Sequence, residues 1–148
     1  MDVVALTDHD TTGGWEAAAA ALPPGLTLVP GAELSCRVGR TSLHLLAYLF
    51  DPAEPVFAAE RARVRDSRVH RGRRMVELLA GDGHPVTWEE VLGYAAGGTV
   101  GRPHVGQALI RHGLVSTMDE AFTPDWLATG GRYWAPKLET EAADAVRL

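Results

Sequence analysis

The 148-residue sequence has one cysteine, Cys36, and one lysine, Lys137, among its fourteen Lys and Arg residues. A single thiol excludes an internal disulfide framework and makes a reducing cytoplasm the default setting. No apolar run is long enough to cross a bilayer, because Asp, Pro or Gly interrupts the longest stretches. A secretory leader is not expected either. Asp2, Asp8 and Asp10 stand where a basic start and an apolar run would be needed. Internal repeats and low-complexity linkers are also missing. What remains is 46% hydrophobic and 22% charged. That balance excludes collagen, coiled coil and disorder, and it suits one soluble globular domain with a core.

The net charge of −5 argues against a nucleic-acid scaffold. Its distribution is uneven. Residues 1–60 carry a balance of −6, residues 61–116 one of +4, and the last 32 residues one of −3. An acidic opening before a basic middle pairs cation-binding carboxylates with groups for an anionic substrate. An arginine-rich, solvated helix gives the same pattern. Of the middle arginines, Arg61, Arg65 and Arg68 fall on one helical face.

Along the chain, residues 3–6 (VVAL) read as a buried parallel strand. Thr11, Thr12 and Gly13 precede a helix through Trp15 and residues 17–21, which Pro23-Pro24-Gly25 stops. A second apolar run, 26–29, completes a compact βαβ unit. Residues 31–36 continue extended, with Gly31 allowing a tight turn. A turn at Val38-Gly39 leads to a third strand over 41–50, making a hairpin. Residues 55–80 form a long helix. Thr87 and Glu90 form a capping box for a short helix to Ala96. Pro103 opens a helix that Gly113 ends. Ser116 and Asp119 mark another short helix, and Thr123-Pro124 a helical turn holding Trp126. Thr140 and residues 142–148 read as a final helix.

Three residues bear chemistry on these strands, two of them at carboxyl ends, where α/β folds gather ligands. His9 lies in Thr7-Asp8-His9-Asp10-Thr11, Glu33 in Gly31-Ala32-Glu33-Leu34-Ser35, and His44 among aliphatic residues of the third strand. Each has an ordinary alternative. Asp10 or Thr11 caps the next helix while His9 faces solvent, Glu33 is simply exposed, and His44 is a core histidine. Together, two imidazoles and a carboxylate on adjacent strands are usual ligands for Zn, Mn or Fe. Asp8 or Asp10 would fix the His9 tautomer. Cys36 alternates away from Glu33 and packs. The four tryptophans also read as packing residues, and His70, His84 and His112 as surface or capping residues.

LTDHDT after one strand, GAELS after the next and HLLAYLFD after a hairpin resemble the PHP (polymerase and histidinol phosphatase) superfamily. RRMVELL and Gly101-Arg102-Pro103-His104-Val105-Gly106-Gln107-Ala108-Leu109 are similar to its bacterial branch of metal-dependent phosphoesterases acting on nucleotides and short RNA ends. The resemblance runs in order over the whole chain. It implies an α/β fold, part of a distorted (β/α)7 barrel with a helical insertion, and a centre of two or three cations. His9, Glu33 and His44 match metal ligands, Glu33 as the bridging one, and Asp8 has a supporting role. Arg102 and His104 match an insertion motif that contacts substrate: Arg102 would grip phosphate through two hydrogen bonds, and His104 would donate to the anion or protonate the leaving oxygen. The ordinary alternative for this pair is that it only pins the insertion to the barrel.

The implied layout is barrel strands and metal motifs in 1–52, a helical insertion in 53–135, and a return to the barrel in 136–148. The family's HxH motif ahead of the first strand, and its HP and DxH motifs after the insertion, are not found at those places, so a domain cut short at both ends is expected. The expected activity is cytoplasmic, metal-dependent hydrolysis of a phosphate ester on a small nucleotide or a short RNA or DNA end. Mn is the first choice of cofactor, with Zn, Fe or Mg as alternatives. No membrane and no stable nucleic-acid scaffold is expected as a partner. The competing expectations are an inactive remnant binding phosphate or one cation weakly, and a helical interaction module.

Overall fold

The computed structural model describes residues 1–148. Strand β1 (Val3–Leu6) leads through α1 (Trp15–Ala20) to the long strand β2 (Thr27–Val38). β1 and β2 pair in parallel, with Val3 opposite Thr27 and Leu6 opposite Pro30, as the βαβ pattern requires. The expected burial of β1 does not hold: Val3 is 55% exposed, and only alternate residues are partly covered.

β2 is the spine of the sheet. The apolar run at 26–29 and the extended segment after it form one continuous twelve-residue strand. One edge carries β3 (Thr41–Tyr48), antiparallel from Val38 opposite Thr41 to Gly31 opposite Tyr48. Gly39, at φ +59°, makes the two-residue connection. The other edge carries, in succession, β1, a parallel bridge from His9 to Glu33, and β4 (Thr140–Glu141) beside Cys36 and Arg37. The expected final helix therefore begins as a strand, and its helical part, α6, is only Ala142–Ala145. Gly31 serves close approach rather than a turn. A Cβ there would lie 2.8 Å from the Ala47 carbonyl oxygen and 3.0 Å from Thr7 Cγ2. Trp15 Nε1 donates to the Gly31 carbonyl at 2.9 Å.

The chain divides into two compact units, Met1–Arg65 with Leu138–Leu148, and Asp66–Lys137. The division falls within α2 (Pro55–Gly81), not at the 52/53 and 135/136 boundaries read from the sequence. In the first unit, Ala32, Leu34 and Cys36 on one face of β2 bury against Phe57 and Ala145. Glu33, lying between Ala32 and Leu34 in the strand, alternates to the opposite face. Arg61 is 6% exposed. Its guanidinium stacks 5.1 Å from the Phe57 ring centroid and donates to the Pro52 carbonyl at 2.6 Å and to Thr12 Oγ1 at 3.3 Å. Arg68 is buried as well. Arg61 and Arg68, two of the three arginines expected on one helical face, are thus buried rather than solvated.

The second unit is helical. Met75, Leu79, Val91, Val105, Leu109 and Leu127 are its fully covered core, drawn from α2, α3 (Trp88–Ala95), α4 (Arg102–Arg111) and the turns after α5 (Met118–Ala121). Thr87 caps α3 by accepting the Glu90 N–H at 3.3 Å. The Glu90 carboxylate meets His112 Nε2 at 2.8 Å and accepts from the Tyr94 hydroxyl. The cap of α5 is Thr117, not Ser116. Residues 124–133 form turns and bends where a helical turn was expected. His84 is not a plain surface residue: its Nε2 lies 3.0 Å from the Tyr133 hydroxyl, which donates to Asp82 Oδ2 at 2.8 Å.

Candidate metal centre

His9, Glu33 and His44 meet on the first unit. Each reaches the site by a separate backbone device. Glu33 projects from the middle of β2. His44 stands on β3 directly opposite Ser35, two residues along β2 from Glu33 and on the same face. His9 comes from the loop after β1, which the parallel bridge holds against Glu33: the Glu33 N–H donates to the Asp8 carbonyl at 3.1 Å, and the Asp10 N–H to the Glu33 carbonyl at 3.0 Å.

Their donor atoms all lie within 4.8 Å of one another. His44 Nδ1 contacts Glu33 Oε1, and His9 Nδ1 lies 3.7 Å from Glu33 Oε2. The two imidazole rings meet edge to face at 4.7 Å. The carboxylate thus offers one oxygen to each histidine. The side chains are 38%, 26% and 41% exposed for His9, Glu33 and His44, so the cluster opens to solvent. A cation with ligand bonds of about 2.1 Å holds its ligands roughly 3–4 Å apart. Small side-chain rotations bring all three donors to that spacing. Two nitrogens and a carboxylate suit a first-row divalent ion, and the rigid sheet preorganises them. The residues present therefore fit a metal.

Asp8 and Asp10 divide the remaining work differently from the expectation that either would orient His9. The Asp8 side chain is exposed, and its carboxylate is not among the converging donors. Oδ2 lies beside Gly14, 3.0 Å from where a Cβ there would sit. Asp8 supports the site through its backbone carbonyl. Asp10 neither caps the next helix nor faces solvent. It is 1% exposed, at φ +56°, and its carboxylate accepts the Ser35 N–H at 2.9 Å and the Ser35 hydroxyl at 2.8 Å. Sequence reasoning missed this role. The available signal was that Ser35 shares Glu33's face of the strand.

Arg102 and His104 lie in the second unit, at the start of α4. Arg102 Nη1 donates to the Leu127 carbonyl at 3.1 Å and to Thr129 Oγ1 at 3.4 Å, and the guanidinium stacks 5.1 Å from the Phe122 ring centroid. Burial, and then neighbouring Arg68, lowers its pKa from the usual arginine value. His104 Nδ1 accepts the Gly101 N–H at 3.0 Å, which leaves Nε2 to carry the proton of the neutral ring. Burial lowers the His104 pKa below the ordinary histidine value. This ring caps the start of its own helix.

No protein-family model matches the chain. Curated relatives do. Over 122 residues the chain is 35% identical to a 3′,5′-nucleoside bisphosphate phosphatase of Chromobacterium violaceum, covering 81% of this chain and 43% of that protein. Over 139 residues it is 33% identical to the 5′-3′ exoribonuclease Rnm of Salmonella typhimurium, covering 92% and 47%. The chain thus spans about half the length of the curated relatives it matches. A crystal structure from Bifidobacterium adolescentis, provisionally described as a metal-dependent phosphoesterase, superposes with TM-score 0.91 at 34% identity, over 99% of this chain and 52% of that one. An amidohydrolase from Chromobacterium violaceum with bound sulfate and no metal superposes with TM-score 0.87 at 32% identity, again over 99% and 52%. The motifs in their order, the donors they bring together and these likenesses agree: the chain belongs to the PHP superfamily.

Proposed function

We propose that this chain is the metal-binding part of a metal-dependent phosphoesterase that hydrolyses phosphate esters of nucleotides or short oligonucleotides. The convergence of His9, Glu33 and His44 on one solvent-open point carries the reading. In this proposal the three are metal ligands, with Mn2+ the preferred ion, and the first unit is part of a distorted (β/α)7 barrel into which the helical residues are inserted. When bound, divalent cations lower the pKa of water toward about 7 and neutralise phosphoryl charge. Glu33 Oε1 holds His44 Nδ1, and Oε2 faces His9 Nδ1 at 3.7 Å. Asp8 holds the loop through its carbonyl. We assign Arg102 and His104 to substrate, with the His104 Nε2–H as donor to a phosphate oxygen and the Arg102 nitrogens not spent on Leu127 and Thr129 as further donors. A cytoplasmic setting belongs to the same proposal.

The test is release of phosphate or mononucleotide from a 3′,5′-nucleoside bisphosphate and from a 5′-phosphorylated RNA oligomer, with Mn2+ added. It is run on the chain and on any longer product of its reading frame. Hydrolysis that falls at least about 100-fold in Glu33→Gln and in His44→Ala is expected. No hydrolysis by either form overturns the catalytic reading. A second reading, metal binding without turnover, is favoured by the single group of three donors in a chain spanning about half its relatives. Calorimetric binding of one Mn2+ with no turnover would select it.

A further inference from the structure

We infer that Asp10 is a positioning residue that sets the spacing of all three metal ligands through Ser35, an inference that rests on the metal-site reading above. Ser35 is two residues from Glu33 on the same face of β2, and it is the cross-strand partner of His44. Asp10 is the residue after His9. Its two carboxylate oxygens take both polar groups of Ser35, at 2.9 and 2.8 Å. The clamp therefore joins the loop that carries His9 to a point in the sheet adjacent to both other ligands.

Three further facts assign the clamp to the ligands rather than to general packing. The backbone bridge between residues 8–10 and Glu33 is only two hydrogen bonds long. β1 itself stops pairing at Leu6 opposite Pro30. In the loop beyond it, the Asp10 carboxylate adds two side-chain bonds to β2 at Ser35. Asp10 and Ser35 are 1% exposed, so water does not compete for the contact. Finally, Asp10 holds φ +56°, a left-handed conformation that Asp and Asn tolerate and that β-branched residues avoid. That conformation and the two side-chain bonds together put His9 in place.

The experiment measures Co2+ and Mn2+ affinity of the full chain by calorimetry, and the visible Co2+ spectrum as a signature of coordination geometry. Thermal melting is followed in parallel. The variants are Asp10→Asn, Asp10→Gly and Ser35→Ala. Asn keeps the shape, accepts from the Ser35 N–H, donates to its hydroxyl and tolerates the backbone. It should bind within about threefold of wild type. Gly keeps the backbone conformation but removes both bonds. It should lose about 10- to 100-fold in affinity, as supporting contacts to metal ligands do, with an altered Co2+ spectrum. Ser35→Ala, which removes one bond of the two, should lose less and still measurably. Wild-type affinity and spectrum in Asp10→Gly, or in Ser35→Ala should Asp10→Gly not fold, overturn the inference and leave the metal site standing. Equal loss in Asp10→Asn and Asp10→Gly overturns it too, since charge rather than geometry would then be at work. No binding by wild type overturns both.

Discussion

His104 shows how one ring can report on its own helix. Nδ1 accepts the Gly101 N–H, so the neutral ring is the one that caps, and burial lowers its pKa below the usual value. Between that lowered value and the ordinary one near 6.5, the unfolded chain binds more protons than the folded one. Stability therefore rises with pH through this window. The contribution is complete above about 6.5 and is lost as pH falls through the folded value. Denaturation midpoints measured from pH 7.5 to 5 should fall more steeply for wild type than for His104→Gln, whose amide does not titrate. Parallel slopes would assign the acid sensitivity to other groups. At this scale the three converging donors were legible in the sequence because residue type is a local signal, although Glu33 and His44 stand inside their strands rather than at the ends. Asp10 was not, because its partner lies 25 positions away and only folding shows which of two adjacent carboxylates turns inward.

Among elements, β2 carries the most information per residue. It pairs with β1, β3 and β4 and presents Glu33 and Ser35 on one face and the core on the other. The hairpin was readable from alternation and the Gly39 turn. The capping of α3 by Thr87 was readable from residue type. β4 was not, since two residues leave no periodicity and their strand character comes wholly from β2. The burial of Arg61 and Arg68 was likewise hidden, because helical spacing says which residues share a face but not what covers it. Gly31 marks a close approach between β2 and β3. Gly31→Ala places a methyl 2.8 Å from the Ala47 carbonyl oxygen. It should destabilise by about 1–3 kcal/mol, in line with overpacked cores, in urea denaturation. A change under about 0.5 kcal/mol would show that the strands part without cost.

For the whole molecule, local patterns gave the α/β class and the helical middle but not the division inside α2, because a long uninterrupted helix shows no boundary in sequence. No helix is long and apolar enough to cross a membrane. The two buried clusters are separate in sequence terms. One draws on β2, β3, the start of α2 and α6, and the other on residues 75–135.

Cys36 gives the molecule a clock of its own. Its thiol is the sole one in the chain, is 0% exposed, and is next to Ser35 in β2. A thiol reagent can reach it only when that strand opens, so the rate of alkylation under native conditions counts opening events of the sheet that carries Glu33 and His44, without any engineered label. A ligand held only by the closed form slows such opening by mass action, about 100-fold at a concentration 100 times its Kd. Alkylation should slow accordingly as Mn2+ is raised, and it should stay unchanged in Glu33→Gln. Timing one sulfur thus measures occupancy of a site on the other side of the strand, in a protein whose substrate need not be known.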